Sequence, residues 1–152
     1  MKTKILSVLA IAFSVTFFSF TSKPGGEGFE IYLNNKLVLQ QFGKDLNKVK
    51  TISIDPTLTH AQLSVKYYHC GQVGKNRVLA VKNATNKVLK EWSFDNSAKN
   101  SNAMYCGVKE ILDLQKVNSS KLYLYYSSSQ LPKERLLVTI SKGDNDSRAA
   151  IK

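Results

Sequence analysis

Residues Gln62 to Gly71 read Q-L-S-V-K-Y-Y-H-C-G, and this stretch decides how the rest of the chain is interpreted. Side chains alternate between the two faces of a β-strand, so neighbouring residues point in opposite directions. One face of the predicted strand carries Leu63, Val65, Tyr67 and His69. The other face carries Gln62, Ser64, Lys66, Tyr68 and Cys70. The pattern therefore predicts a strand with an apolar inner face and a polar, aromatic outer face.

The same alternation recurs along the chain and predicts the fold class. Short strands are predicted at residues 29–33, 36–40, 51–54, 62–70, 77–82, 88–94, 103–108, 121–127 and 135–141. About nine short strands without a long helix are typical of an all-β fold. We expect a single antiparallel β-sandwich, either a jelly roll or immunoglobulin-like, with a partly open barrel as the alternative.

Three segments between the strands carry more specific predictions. Asn34-Asn35 separates the first two strands, and because asparagine tolerates positive φ we expect an antiparallel hairpin there. The polar segment 127–133 is predicted to be a loop. Residues 108–114 fit both a helical turn and a strand, and we favour a bent strand or a brief helical crossover.

The N-terminus has the layout of a secretory signal peptide. Two lysines precede an apolar run of about 16 residues, which is shorter than the roughly 20 needed to cross a bilayer as a helix. We predict a signal peptide at 1–21 and no transmembrane span in the mature chain. A flexible leader (22–28), the β-sandwich domain (29–142) and a disordered tail (143–152) follow. The protein is expected to be secreted or periplasmic.

The chain is strongly basic, with 22 basic and 11 acidic residues. Removal of residues 1–21 takes away two lysines and no acid, which leaves 20 basic and 11 acidic residues and a net charge of +9. Such a charge favours weak attraction to polyanions without selecting among them. The lysines are scattered, so an ordinary solvated surface is the simpler interpretation. The partner is unknown from sequence, with polysaccharide or an envelope protein as candidates and no motif for specific nucleic-acid binding.

The two cysteines predict one disulfide. In an exported chain, Cys70 and Cys106 most simply pair with each other, and a pair of free thiols is the alternative. His69 and Cys70 are adjacent, so in a strand they point to opposite faces and do not form a nucleophile and base. A thiol enzyme would need reduced Cys70 with His60 as base and Asp55 to orient it.

Motifs of other enzyme classes are missing from the sequence. There is no phosphate-binding glycine loop, no G-x-S-x-G, no H-E-x-x-H and no acidic calcium loop. The carboxylates are scattered, and their spacing selects no pair for glycoside hydrolysis. We therefore predict a protein that is not an enzyme and has no metal or cofactor, and keep a thiol or carboxylate hydrolase as an alternative.

Outward tyrosines supply the functional hypothesis. The alternation rule places two tyrosine and lysine groups on outer strand faces, and these are the predicted binding residues: Tyr32, Lys66, Tyr68, Lys121, Tyr123 and Tyr125. Exposed tyrosines stack on sugar rings or on the apolar surface of a partner. Tyrosine also suits half-exposed strand positions without any ligand.

Two functions fit these residues. The first is a non-catalytic binding module that holds polysaccharide or another anionic envelope ligand on an exposed Tyr/Lys sheet face. The alternative is a structural or assembly subunit that pairs through its edge strands.

Overall fold

Two facing β-sheets make up the fold. The computed structural model of the chain describes residues 26–96, 102–118 and 121–143. In chain order its strands are β1 (Gly28–Leu33), β2 (Lys36–Phe42), β3 (Lys50–Ile54), β4 (Gln62–Tyr68), β5 (Arg77–Lys82), β6 (Val88–Phe94), β7 (Ala103–Gly107), β8 (Lys121–Ser128) and β9 (Leu131–Lys142). A 3-10 helix spans Gly43–Asn47, and the helix α1 spans Val108–Asn118. The predicted all-β sandwich is confirmed.

The predicted terminal segments lie mostly outside the described residues. The signal peptide at 1–21, residues 22–25 of the leader and residues 144–152 of the tail belong to this undescribed part. Strand β1 begins at Gly28, one position before the predicted start of the domain. In the part of the chain that the structure describes, no helix is long and apolar enough to cross a membrane.

The strands are divided between a four-stranded sheet and a five-stranded sheet. The four-stranded sheet has the order β2-β1-β4-β7, and the five-stranded sheet has the order β3-β9-β8-β5-β6. Neighbouring strands are antiparallel except for β3 and β9, which run parallel. The prediction of a purely antiparallel arrangement is wrong for this one pair. Strand β3 lies at the edge of the sheet and pairs with β9, the last strand in the chain, in the parallel direction.

The core lies between the inner faces of the two sheets. Val65 of β4 is fully buried, as are Leu79 of β5 and Leu124 of β8. Burial of each such side chain contributes roughly 1.5–3 kcal/mol. In β5 the residues Ala80 and Lys82, on the opposite face, are buried as well, so this strand is buried on both of its faces. The predicted inner face of β4 is confirmed.

Residues 108–114, expected to form a bent strand or a brief helical crossover, belong to helix α1. The buried residues of this segment are Val108, Ile111, Leu112 and Gln115, which is the spacing of one face of an α-helix. The helical crossover is therefore confirmed and the bent strand is wrong: Leu112 and Leu114 also fit a strand, and packing against the core selects the helical face. The helix connects β7 of the four-stranded sheet to β8 of the five-stranded sheet.

Tight turns join several of the strands. Asn34 and Asn35 have φ angles of 48° and 64° between β1 and β2, so the predicted hairpin is confirmed. The loop predicted at 127–133 is shorter in the structure, because β8 and β9 pair as far as Ser128 and Leu131. The Leu131 amide donates to the Ser128 hydroxyl at 3.2 Å, which supports this tighter turn.

The predicted Cys70–Cys106 disulfide is absent from the structure, in which both cysteines are free thiols. Cys106 pairs in register with Leu63, and β4 continues to Tyr68 before Cys70 is reached. At about 3.3 Å per residue, the strand from Leu63 to Tyr68 alone carries the chain about 16 Å past Cys106 before Cys70 is reached, whereas a disulfide needs Cα atoms within roughly 7 Å. Burial raises the pKa of the Cys106 thiol to about 12, and Cys70 is exposed.

Aromatic and polar side chains fill one end of the interior between the sheets. The rings of Tyr67 and Tyr126 stack with centroids 4.3 Å apart, which joins β4 to β8 across the core. His69 Nε2 lies 2.8 Å from the Tyr126 hydroxyl and 3.3 Å from the Ser128 hydroxyl. Burial lowers the pKa of His69, so the neutral imidazole is the form that the folded protein favours.

Charged groups flank this interior end. The Tyr67 hydroxyl donates to Glu27 Oε1 at 2.6 Å, and Arg135 Nη2 donates to the same oxygen at 3.2 Å. The buried Arg77 guanidinium donates to the Asp95 carbonyl at 2.7 and 2.9 Å. These contacts satisfy polar groups whose burial without partners would be costly.

Acidification is expected to destabilise the protein through His69. The pKa of His69 is lowered in the folded state. Below about pH 6.5, the ordinary pKa of histidine, the unfolded chain therefore binds a proton at this residue that the folded chain does not bind. The free energy of unfolding then falls with pH until the folded pKa is reached. Urea unfolding at pH 7.5 and 5.5 measures this loss. Replacement His69→Phe should reduce the loss, and His60→Gln, at an exposed turn, is the control. An unchanged loss in His69→Phe would contradict the assignment.

Candidate binding surface

The structure places the six predicted binding residues on two separate surfaces. Tyr32, Lys66 and Tyr68 lie on the outer face of the four-stranded sheet. Lys121, Tyr123 and Tyr125 belong to β8 in the five-stranded sheet. The outer faces of a sandwich point in opposite directions, so the two groups do not form the one sheet face expected from the sequence. Alternation gives the face of a residue within its strand but not the sheet to which the strand belongs.

Each strand of the four-stranded sheet contributes one aromatic side chain to its outer face. Their neighbours in sequence, among them Ile31, Tyr67 and Met104, are buried in the core, so these aromatic residues point outward. We call this surface the aromatic face, and it consists of Glu30, Tyr32, Gln40, Phe42, Lys66, Tyr68 and Tyr105.

Glu30 is the centre of the aromatic face. The hydroxyls of Tyr32 and Tyr68 both donate to Glu30 Oε2, at 2.7 and 2.8 Å. The bond to the carboxylate, assisted by partial burial, raises the pKa of Tyr32 to about 12. Burial and the same carboxylate raise the pKa of Tyr68. The two phenols are therefore fixed as neutral donors on either side of one negative charge.

A cation and a packed ring complete the centre of the face. Lys66 pairs in register with Glu30, and its Nζ lies 4.8 Å from the centroid of the Tyr32 ring. A cation in this position is attracted to the ring face. The Phe42 ring lies over Gly28, where an added Cβ would be 1.9 Å from it, and its centroid is 5.7 Å from that of Tyr68. A side chain at position 28 would displace this ring.

Sequence reasoning missed Glu30, the centre of the aromatic face, and three further members of that face. Tyr105, 44% exposed, lies two strands from Tyr32 in the same register row, across Ser64. Gln40 is the register partner of Glu30 on the other side, and Phe42 is the partner of Gly28. Alternation along β7 would have predicted that Tyr105 faces outward, because the residues on either side of it in the strand are buried. Strand pairing was needed to bring all three beside Tyr32 and Tyr68.

The outer face of the five-stranded sheet is arranged differently. Lys82 of β5 is buried, forms an ion pair with Glu134 and has its Nζ 4.8 Å from the Tyr125 ring centroid. Tyr123 is the register partner of Lys82 and of Thr139. Lys82 is therefore already occupied by a carboxylate and a ring, and Tyr123 and Tyr125 are half-buried beside it, whereas Lys121 at the start of β8 is exposed.

The arrangement gives no support to the thiol mechanism. His60 precedes β4 and Cys70 follows it, so the strand separates the two groups by about 20 Å. His69 points into the core, whereas the adjacent Cys70 is exposed, as the alternation predicts. Within residues 26–96, 102–118 and 121–143, no three His, Cys, Asp or Glu side chains are grouped so as to hold a metal ion.

The pKa of Tyr32 offers a test of the Glu30 centre. We expect the ring resonance of Tyr32, observed by NMR in protein with labelled tyrosine, to remain that of the phenol up to pH 11. In Glu30→Gln the negative acceptor is lost, so Tyr32 should titrate closer to the ordinary value of about 10. Gln40→Glu, which keeps Glu30, is the matched control. A wild-type Tyr32 that titrates near pH 10 would show that the hydrogen bond is not formed.

Comparison with known proteins gives no relative from which a function is transferred. The chain matches no protein-family model. A search of curated proteins finds no similar sequence.

Proposed function

We propose that the protein is a secreted or periplasmic polysaccharide-binding module without catalytic activity, and that the aromatic face holds the glycan. The observation that carries this proposal is the gathering of four aromatic side chains on one surface, one from each strand of the four-stranded sheet, with two of them donating to the same carboxylate. The proposed location rests on the predicted export signal at the N-terminus. The proposed ligand class rests also on the net positive charge of the chain.

The chemistry of the face suits a sugar. A pyranose ring presents C–H groups on one side, which pack against aromatic rings, and hydroxyls at its edge, which need hydrogen-bond partners. Tyr32, Tyr68 and Tyr105 supply rings with polar tips. Glu30 accepts both phenols at Oε2, and among the described residues no hydrogen bond reaches its Oε1. Oε1 and the Gln40 amide are available to sugar hydroxyls.

The extent of the face favours a polymer over a monosaccharide. Tyr32 and Tyr105 lie on strands separated by β4, which places their Cα atoms about 10 Å apart. Tyr68 lies near the other end of the same strands, beyond Glu30. Rings at these spacings contact successive units of a chain. A flat, half-exposed sheet face also admits an extended polymer more readily than an enclosed pocket does.

Affinity electrophoresis in gels that contain xylan, laminarin, alginate or polygalacturonate tests the proposal. We expect at least one of these polymers to retard the native protein. Tyr105→Ala should weaken that retardation about threefold to tenfold, the factor given by loss of one aromatic contact worth roughly 0.5–1.5 kcal/mol. Tyr32→Ala should weaken it further, because this ring also contacts Glu30 and Lys66.

Tyr123→Ala is the matched control, since it removes the same side chain from the opposite sheet. It should leave the retardation unchanged. The proposal fails if no polymer retards the native protein or if Tyr123→Ala weakens binding as much as Tyr105→Ala. A dimeric mass combined with no retardation would favour the assembly function instead, through edge strand β2, whose Leu37 and Val38 are exposed.

A further inference from the structure

A cavity of about 400 Å³ lies beside α1, away from the aromatic face. It is lined by Pro56, Leu112, Gln115, Lys116 and Lys142. Its volume is at the lower end of the range of roughly 300–1,000 Å³ found for small-molecule sites. The size suits a compact organic ligand rather than a polymer.

Two elements of the fold bring these residues together. Leu112, Gln115 and Lys116 lie on one side of α1, because they follow the helical spacing of three and four residues. The other wall is formed by the ends of the two parallel strands β3 and β9, where Ile54 pairs in register with Lys142. Pro56 follows directly after β3, so it reaches the cavity from the same sheet edge.

The cavity combines an apolar floor with a positively charged rim. Leu112 is buried in the core at 5% exposure, and Gln115 Nε2 donates to the Ile140 carbonyl at 3.4 Å, which fixes that side chain against β9. Lys116 and Lys142 supply two ammonium groups from different elements. Among the residues that the structure describes, none that lines the cavity is acidic.

The two lysines are not equivalent. Lys116 Nζ is 2.9 Å from Asp113 Oδ1, and it lies in the last turn of α1, where the helix dipole attracts a cation. Its charge is therefore partly compensated. Lys142 ends β9, and no carboxylate among the described residues forms an ion pair with it. Lys142 is therefore the cavity residue that we expect to bind the negatively charged group of a ligand.

We propose that this cavity binds an amphipathic monocarboxylate, with the carboxylate at Lys142 and the hydrocarbon part against Leu112 and Pro56. An inorganic anion would leave the apolar floor exposed to water, and a neutral hydrocarbon would form no ion pair with Lys142. The ligand is a free small molecule, because the cavity lies against the helix and a strand end rather than on an extended surface.

Isothermal titration calorimetry of the full mature chain with decanoate, below its micelle concentration, tests this site. We expect one decanoate to bind per chain, and decylammonium and acetate not to bind. Lys142→Gln should weaken decanoate binding about fivefold, as expected for loss of one partly exposed ion pair. Lys116→Gln should have a smaller effect, and Lys142→Glu should abolish binding.

Lys133→Gln is the matched control, since this exposed lysine lies in the opposite half of β9 and does not line the cavity. It should bind decanoate as the native chain does. The proposal is overturned if decanoate does not bind, if decylammonium binds equally well, or if Lys142→Glu retains full affinity. Equal losses in Lys142→Gln and Lys133→Gln would also overturn it, because they would show a general charge effect.

Discussion

The four-stranded sheet depends on the burial of one side of β1, β4 and β7 in the core. With Ile31, Val65 and Met104 in the core, the alternate residues of the same strands must face outward. A slip of one residue in register would bury Glu30 and expose the core. The packing that stabilises the sandwich is therefore also what assembles the aromatic face and holds its carboxylate between two tyrosines.

Much of the fold was predictable from local pattern. The inner face of β4 and the Asn34-Asn35 turn are properties of short segments, and they follow from alternation and from asparagine's tolerance of positive φ. Helix α1 was less accessible, because its leucines fit two periodicities and contact with the core selects between them. Its identity is thus set by tertiary packing.

The candidate site was predictable only in part, since it depends on which strands become neighbours. Alternation placed Tyr32, Tyr68, Tyr123 and Tyr125 outward, but pairing divided them between two sheets and added Tyr105 to the first pair. The prediction of a disulfide was wrong for the same reason. An even number of cysteines in an exported chain suggests a bond, whereas register along β4 keeps the two sulfurs apart.

We propose that a glycan binds to the outer face of the four-stranded sheet. The most direct measurement is an NMR titration of the native protein with an oligosaccharide of whichever polymer retards it. We expect shifts in the amide and ring resonances of Tyr32, Tyr68 and Tyr105, with Tyr123 and Tyr125 unchanged. Shifts confined to β8, or spread evenly over lysines on all surfaces, would contradict it.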